Sequence, residues 1–232
     1  MATQKDTAAA RPKILVDVTC ERIRKDISEE FLKPGEKINV RVLSERYGVS
    51  ETPIKQALNR LMMQGLVESI PHKGMKVKRI SWPEIDEIME LRLMLELNYI
   101  PKVITALEHD LELQKKFEEN IQANIALVEN FSNTSEYFKT YEQDQQFHRL
   151  YLQCSGNMKA VQVFDSLNTH AYSTYLYNKQ PRERTLAGVL EHRSVYEALL
   201  AKDENRVREL LTSHTQNARE IIYLILKIDS RA

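Results

Sequence analysis

Cysteine occurs twice in the 232 residues, tryptophan once and glycine six times. Cys20 and Cys154 stand alone, without the spacing of a disulfide framework or a thiolate metal site. That fits a reducing, cytoplasmic compartment and leaves each as a small core side chain. No apolar run approaches the ~20 residues needed to cross a bilayer, so a membrane partner is not expected. The opening MATQKDTAAARPK lacks the apolar centre of a signal peptide and reads as a disordered leader over residues 1–13. A Gly-rich phosphate loop, a nucleophile motif and the paired Glu-x-x-His of di-iron bundles are also missing. Most enzyme classes therefore find no signature here.

Net charge is absent too: 33 Lys and Arg balance 33 Asp and Glu. The balance hides a segregation. Residues 1–80 hold 16 basic against 10 acidic side chains, and the remainder 17 against 23. A basic first part suits a phosphate-facing module, and an acidic second part argues against wrapping nucleic acid there. The composition, 42% hydrophobic and 28% charged, is that of a globular protein.

What is present concentrates between Pro34 and Val77. Arg41 to Tyr47 reads as a short helix, ended by Gly48, which can take the left-handed conformation, with Val49 plugging the turn. Ser50 suits the N-cap of a second helix and Pro53 is tolerated in its first turn. Ile54, Ala57, Leu58 and Leu61 then recur at helical spacing until Gly65. LVESI, the turn Pro71-His72-Lys73-Gly74 and MKVKRI form a hairpin. A preceding helix over about Ile14 to Phe31 would back this unit with Ile14, Val18, Ile23 and Ile27. Helix, turn, helix and basic hairpin is the winged helix-turn-helix plan, whose second helix enters the major groove of double-stranded DNA.

That geometry nominates contacts. Ser50, Glu51, Thr52 and Lys55, with Gln56 nearby, sit where the second helix meets base edges. Arg41 is placed for phosphate or a groove-edge base, and Lys55 and Arg60 for phosphate. His72, Lys73 and Gly74 form the wing tip.

The words LKPGEKI, LSERYGVSETPIKQALNRL, GLVE and HKGMKV, in this order, resemble the signature of the GntR family of bacterial transcription regulators over residues 14–79. One position departs from it. The family's usual SRTP is SETP here, with Glu51 in place of Arg. A carboxylate favours the helix N-terminus but is repelled by phosphate, and it accepts from cytosine rather than donating to guanine. An operator unlike the common family sequence is expected.

Ser81-Trp82-Pro83 marks a boundary, with Ser81 as cap and Glu84, Asp86 and Glu87 at a helix N-terminus. Helices are expected near 83–108, 110–132, 135–153, 157–178, 183–201 and 203–228. The fold is mainly α: residues 14–80 form the winged unit and residues 81–232 an antiparallel helical bundle.

Four residues of the bundle carry possible chemistry. Asp144 and His148, four apart in TYEQDQQFHRLYL, share a face with Tyr141, Phe147, Tyr151 and Leu152. His192 and His214 lie in the apolar stripes of the last two helices, equidistant from a turn near Lys202-Asp203, so they stand level. Buried together, three imidazoles and a carboxylate need partners. Backbone carbonyls could supply them. So could a divalent transition metal such as Zn²⁺ or Ni²⁺, bound through these N and O donors.

The arrangement resembles the FCD ligand-binding domain of FadR-type members of the GntR family. There an Asp-x3-His pair and two later His bind metal, which implies Asp144, His148, His192 and His214 as ligands here. Arg92, in ELRLMLE, would then grip an organic acid beside the metal, or else form a surface salt bridge with Glu96. Asn157 either turns the chain after Ser155-Gly156 or faces the ligand, with turning preferred. Asn168 and His170 are further candidates to reach it, although a lone His170 is more simply an ordinary core or interface residue.

The expected function is a metabolite-responsive DNA-binding regulator, a repressor binding a pseudo-palindromic operator as a homodimer. The resemblance implies a small carboxylate effector held by the metal and a cation. A metal-dependent enzyme in a helical bundle and a DNA-binding protein with an inert bundle are the alternatives.

Overall fold

The computed structural model describes residues 10–177 and 179–229, in two compact units that divide between Arg79 and Ile80. The first unit runs α1 (Ala10–Ser28), β1 (Lys37–Ile38), α2 (Val40–Tyr47), α3 (Glu51–Met63), β2 (Val67–Ile70) and β3 (Gly74–Val77). The strands form one antiparallel sheet in the order β1-β3-β2, with Val67 opposite Val77 and Ile38 opposite Met75.

Local chemistry explains these elements. Asn39 caps α2, its Oδ1 accepting from the amides of Arg41 and Val42. Gly48 ends the helix at φ 67°, and its N–H donates to the Ser44 carbonyl. Ser44 Oγ donates to the Val49 carbonyl at 2.7 Å, which pins the turn. Gly35 sits at φ 83° beneath the Arg79 side chain, where a Cβ would collide with the guanidinium. Ile23, Ile27, Leu43, Ile54, Leu58, Leu61, Leu66 and Val77 are buried as the core.

Three features of this unit differ from expectation. Helix α1 begins at Ala10, inside the segment expected to be a leader, and residues 1–9 of that segment lie outside the described residues. Its inward stripe runs through Cys20, Ile23 and Ile27, whereas Val18 is 41% exposed, because the 20-23-27 spacing selects a different face. The strand β1 was not anticipated. Two residues carry no periodicity, and their pairing with β3 is a tertiary event.

The second unit is helical: α4 (Trp82–His109), α5 (Leu111–Asn130), α6 (Thr134–Gln153), α7 (Met158–Ser166), a 3₁₀ turn (Thr169–Ala171), α8 (Ser173–Leu176), α9 (Arg182–Leu200) and α10 (Glu204–Asp229). Ser81, Asp110, Asn133 and Asn157 cap α4, α5, α6 and α7 by accepting backbone N–H groups. The single helix expected over 157–178 is broken. Leu167 closes α7, and Asn168 at φ 51° turns the chain before the short pieces that follow.

The core gathers Ile100, Val103, Phe117, Phe147, Tyr151, Val189, Val195, Leu199 and Leu211. On α4 the buried face is Ile85, Met89, Arg92, Glu96, Tyr99 and Ile100. Leu91 and Met94 of the same helix are exposed. Two charged residues therefore occupy interior positions, and they lead to the site. No helix among the described residues is long and apolar enough to cross a membrane.

Candidate functional site

At the surface of the first unit, Ser50 occupies the N-cap of α3 and makes no side-chain capping hydrogen bond among the described residues. Glu51, Thr52, Lys55 and Gln56 are all exposed around that helix end. Glu51 pairs with Lys55 at 2.7 Å, and the hydrogen bond and charge of Lys55 hold its carboxyl below the usual carboxylate range. Arg41 pairs with Glu45 at 3.0 Å, and Arg60 pairs with Asp17. Such exposed pairs are weak and exchange readily for other anions. His72 at φ 59° and Gly74 at φ 97° shape the exposed wing tip, closed by the Lys73 amide donating to Ile70 at 2.9 Å.

Within the bundle, α6, α9 and α10 bring Asp144, His148, His192 and His214 together. One donor atom from each lies within 4.8 Å of the others. His192 Nε2 stands 3.2 Å from His214 Nε2 and 3.5 Å from Asp144 Oδ1, and His148 Nε2 stands 3.9 Å from the same Oδ1. Donors ~2.0–2.1 Å from a shared divalent ion have separations of this size. All three imidazoles are at most 5% exposed. His192 stacks flat on Phe147, ring centres 4.2 Å apart.

Neighbouring carboxylates orient two of the rings. His148 Nδ1 lies 2.7 Å from Glu96 Oε1, and His214 Nδ1 lies 2.7 Å from Glu191 Oε2. An ionised carboxylate only accepts, so each Nδ1 carries the proton and each Nε2 keeps its lone pair. Burial pushes the Glu96 carboxyl upward, but His148 and Arg92 outweigh it and hold it at about 2. Burial, then the charge of Arg92, pushes His148 down. Burial with the neighbouring His214 and His148 pushes His192 well down. Neutral imidazoles are the form that ligates metal. The donor set thus fits a divalent transition ion.

Arg92 is 1% exposed. It reaches Glu96 at 3.3 Å and donates through Nη2 to His148 Nε2 at 2.7 Å. It is therefore a buried partner of Glu96, not a surface one. Its contact with His148 uses the lone pair that a metal would need.

Arg92, Asp144 and His214 also line an open-mouthed cavity of about 80 Å³, with Tyr141, Tyr172 and Arg184. Asn157 is not there. It caps α7, and its Nδ2 donates to Tyr99 Oη at 2.8 Å. Asn168 is no lining residue either, because its amide folds back onto the Ser166 carbonyl at 3.2 Å. The side chain of His170 lies outside the described residues.

Sequence reasoning missed Glu191, Arg184 and Asn124, which also line the cavity, and it considered Glu96 only as a surface partner in the alternative reading of Arg92. Spacing gave one usable signal: Glu96 follows Arg92 by four and so shares its face. The two cysteines stay out of this chemistry. Cys20 is buried against the Ala57 carbonyl, and burial pushes the Cys154 thiol up to about 12.

Residues 15–77 match the model of the bacterial regulatory proteins of the gntR family, and residues 87–217 match that of the FCD domain. The chain belongs to the GntR family, in its FCD-bearing, FadR-like branch. Among relatives of this GntR–FCD chain, the HTH-type transcriptional regulator YdhC of Bacillus subtilis is 26% identical, over 89% of this chain and 90% of its own. The HTH-type transcriptional repressor RspR of Escherichia coli is 23% identical, over 90% and 89%. The solved structure of McbR/YncC from E. coli superposes with a TM-score of 0.67 at 21% identity, covering 90% of this chain and 97% of that one. The protein is a DNA-binding transcription regulator of the GntR–FCD type. Its family and relatives are transcriptional regulators, not enzymes, and the enzymatic alternative is not favoured.

Proposed function

We propose that the protein is a cytoplasmic, acid-sensing repressor that binds a pseudo-palindromic operator as a homodimer. Residues 14–80 read the DNA, and residues 81–232 sense the effector and dimerise. Asp144, His148, His192 and His214 would hold Zn²⁺ or Ni²⁺, which supplies a Lewis-acidic anchor for a small carboxylate. Arg92 binds the same carboxylate from the side of α4 once its hydrogen bond to His148 is given up. The observation that carries this reading is the convergence of four donor atoms, with two of their residues, Asp144 and His214, lining a cavity that also bears the buried Arg92 guanidinium. The relative called a repressor supports the direction of regulation.

On the DNA side, Ser50, Glu51, Thr52, Lys55 and Gln56 face the bases, Arg41 and Arg60 face phosphate, and His72, Lys73 and Gly74 form the wing contact. Effector binding shifts DNA affinity by a coupling of roughly 1–3 kcal/mol.

The test is elemental analysis of the purified full-length protein, followed by chelation and reloading with zinc or nickel. Thermal shifts are then recorded with metal alone and with small carboxylates. Binding to the native state alone must raise the melting temperature, so the metal should raise it and an acid should raise it further. A protein that neither retains metal nor responds to any acid has an inert bundle, and the sensor reading fails.

A further inference from the structure

Asn124, on α5, lines the cavity and is 1% exposed, yet its Oδ1 accepts from no donor among the described residues. Interiors rarely leave a carbonyl oxygen in that state, because burial removes its water and nothing replaces it. Two hydroxyls of neighbouring lining residues are spent elsewhere. Thr140 donates to the Tyr137 carbonyl at 2.7 Å, and Tyr141 donates to Gln180 at 3.4 Å. A molecule bound in the cavity would bring the O–H or N–H that Asn124 Oδ1 lacks.

The charges narrow the molecule further. Arg92 is matched by Glu96, and Arg184 by Glu191 at 3.1 Å. Asp144 is left over, so a divalent ion held by it leaves one net positive charge at the site. A single carboxylate cancels that charge. A second carboxylate or a phosphate would enter without a partner, and an ammonium would add a cation with no free carboxylate to meet it. Leu176, Val189, Ala218, Ile221 and Ile222 form an apolar wall. A polyhydroxylated chain would leave its hydroxyls unpaired against that wall.

We propose that the effector is a monocarboxylic acid with a short aliphatic body and one uncharged hydroxyl, whose O–H is donated to Asn124 Oδ1. This rests on the metal-and-carboxylate reading above and specifies its ligand. Asn124 is a specificity residue: it separates a hydroxy acid from its deoxy parent, while the metal and Arg92 bind the carboxylate that both share.

The experiment is calorimetric titration of zinc-loaded full-length protein with 4-methylpentanoate, its 2-, 3- and 4-hydroxy derivatives, 2-hydroxyglutarate and leucine. Wild type and Asn124→Leu are compared. One hydroxy acid should bind at least ~10-fold more tightly than the parent acid, and the diacid and the amino acid should bind more weakly than that hydroxy acid. In Asn124→Leu the hydroxyl's advantage should vanish while zinc content is kept.

A hydroxyl advantage that persists in Asn124→Leu assigns the hydroxyl to another group and overturns the proposal. Tighter binding of 2-hydroxyglutarate overturns it as well. Equal binding of parent and hydroxy acids by wild type overturns it and leaves the carboxylate-effector reading standing. That comparison needs no variant, so poor folding of Asn124→Leu does not protect the proposal. Failure of every acid to bind removes the effector reading itself, and this inference with it.

Discussion

Arg92 shows how one buried charge can serve two states of a site. It neutralises Glu96, whose side chain is fully enclosed, and it occupies the His148 lone pair. In Arg92→Met both duties lapse. Removing one partner of a buried ion pair costs about 3–5 kcal/mol, so the metal-free protein should melt at a clearly lower temperature. Zinc should bind more tightly, because a competing donor and a nearby positive charge are gone. Carboxylate affinity should fall at least ~10-fold. Scanning calorimetry of the metal-free variant, its titration with zinc and titration of the zinc-loaded form with acid read the three effects, and unchanged acid affinity in a folded variant would refute the carboxylate role of Arg92. Glu191 gives a milder test: one oxygen orients His214, while the other accepts from Arg184 and Asn217. Glu191→Gln keeps the shape and removes the charge, so zinc affinity should drop ~10–100-fold with helical content unchanged. An affinity equal to wild type would mean that the 2.7 Å contact does not prepare His214 for metal.

Elements explain what could be read from the chain and what could not. The level of His192 and His214 was legible because α9 and α10 form a hairpin, and equal distance from its turn is a property of spacing alone. The helix-turn-helix was legible for a similar reason: Gly48, Ser50 and the 54-57-58-61 stripe are local signals. The interior face of α4 was not legible. Its charged members Arg92 and Glu96 satisfy each other, and only the packing of α6 against them reveals that they face inward. Asn157 illustrates the same limit at a helix end, where capping and ligand contact demand the same side chain.

Asn157→Ala should cost about 1 kcal/mol of stability through the lost cap and leave acid affinity at the wild-type value. Chemical denaturation paired with acid titration checks both, and a large loss of acid affinity would contradict the capping role. On α3, Glu51 and Lys55 form one exposed couple at the end that meets the bases. Glu51→Arg frees Lys55 and replaces an acceptor by a donor, so the preferred base should change by about tenfold at one position of each half-site. Selection from a randomised operator library measures this, and an unchanged preference at every base would exclude Glu51 from readout.

The molecule as a whole must obey a constraint that no single site reveals. It has two compact units, one basic and carrying the helix-turn-helix, the other acidic and carrying the cavity proposed to hold metal and acid. If an acid in the cavity weakens operator binding by some factor, operator DNA must weaken acid binding by the same factor, because both measurements close one thermodynamic cycle. The coupling expected for such a switch, roughly 1–3 kcal/mol, corresponds to about 5–150-fold. The check is to titrate a binding acid into free zinc-loaded protein and into protein saturated with operator duplex. The duplex affinity is measured with and without that acid in the same buffer. Salt must be held constant throughout, since phosphate contacts alone change DNA affinity steeply with ionic strength. Equal factors in the two directions mean that cavity and clamp report on one equilibrium between two states. A large effect of acid on DNA with none of DNA on acid would mean that the acid acts elsewhere, for instance by competing on the basic surface. Zinc removal separates these cases. It should abolish an effect exerted through Asp144, His148, His192 and His214, and it should leave simple competition at the basic surface untouched.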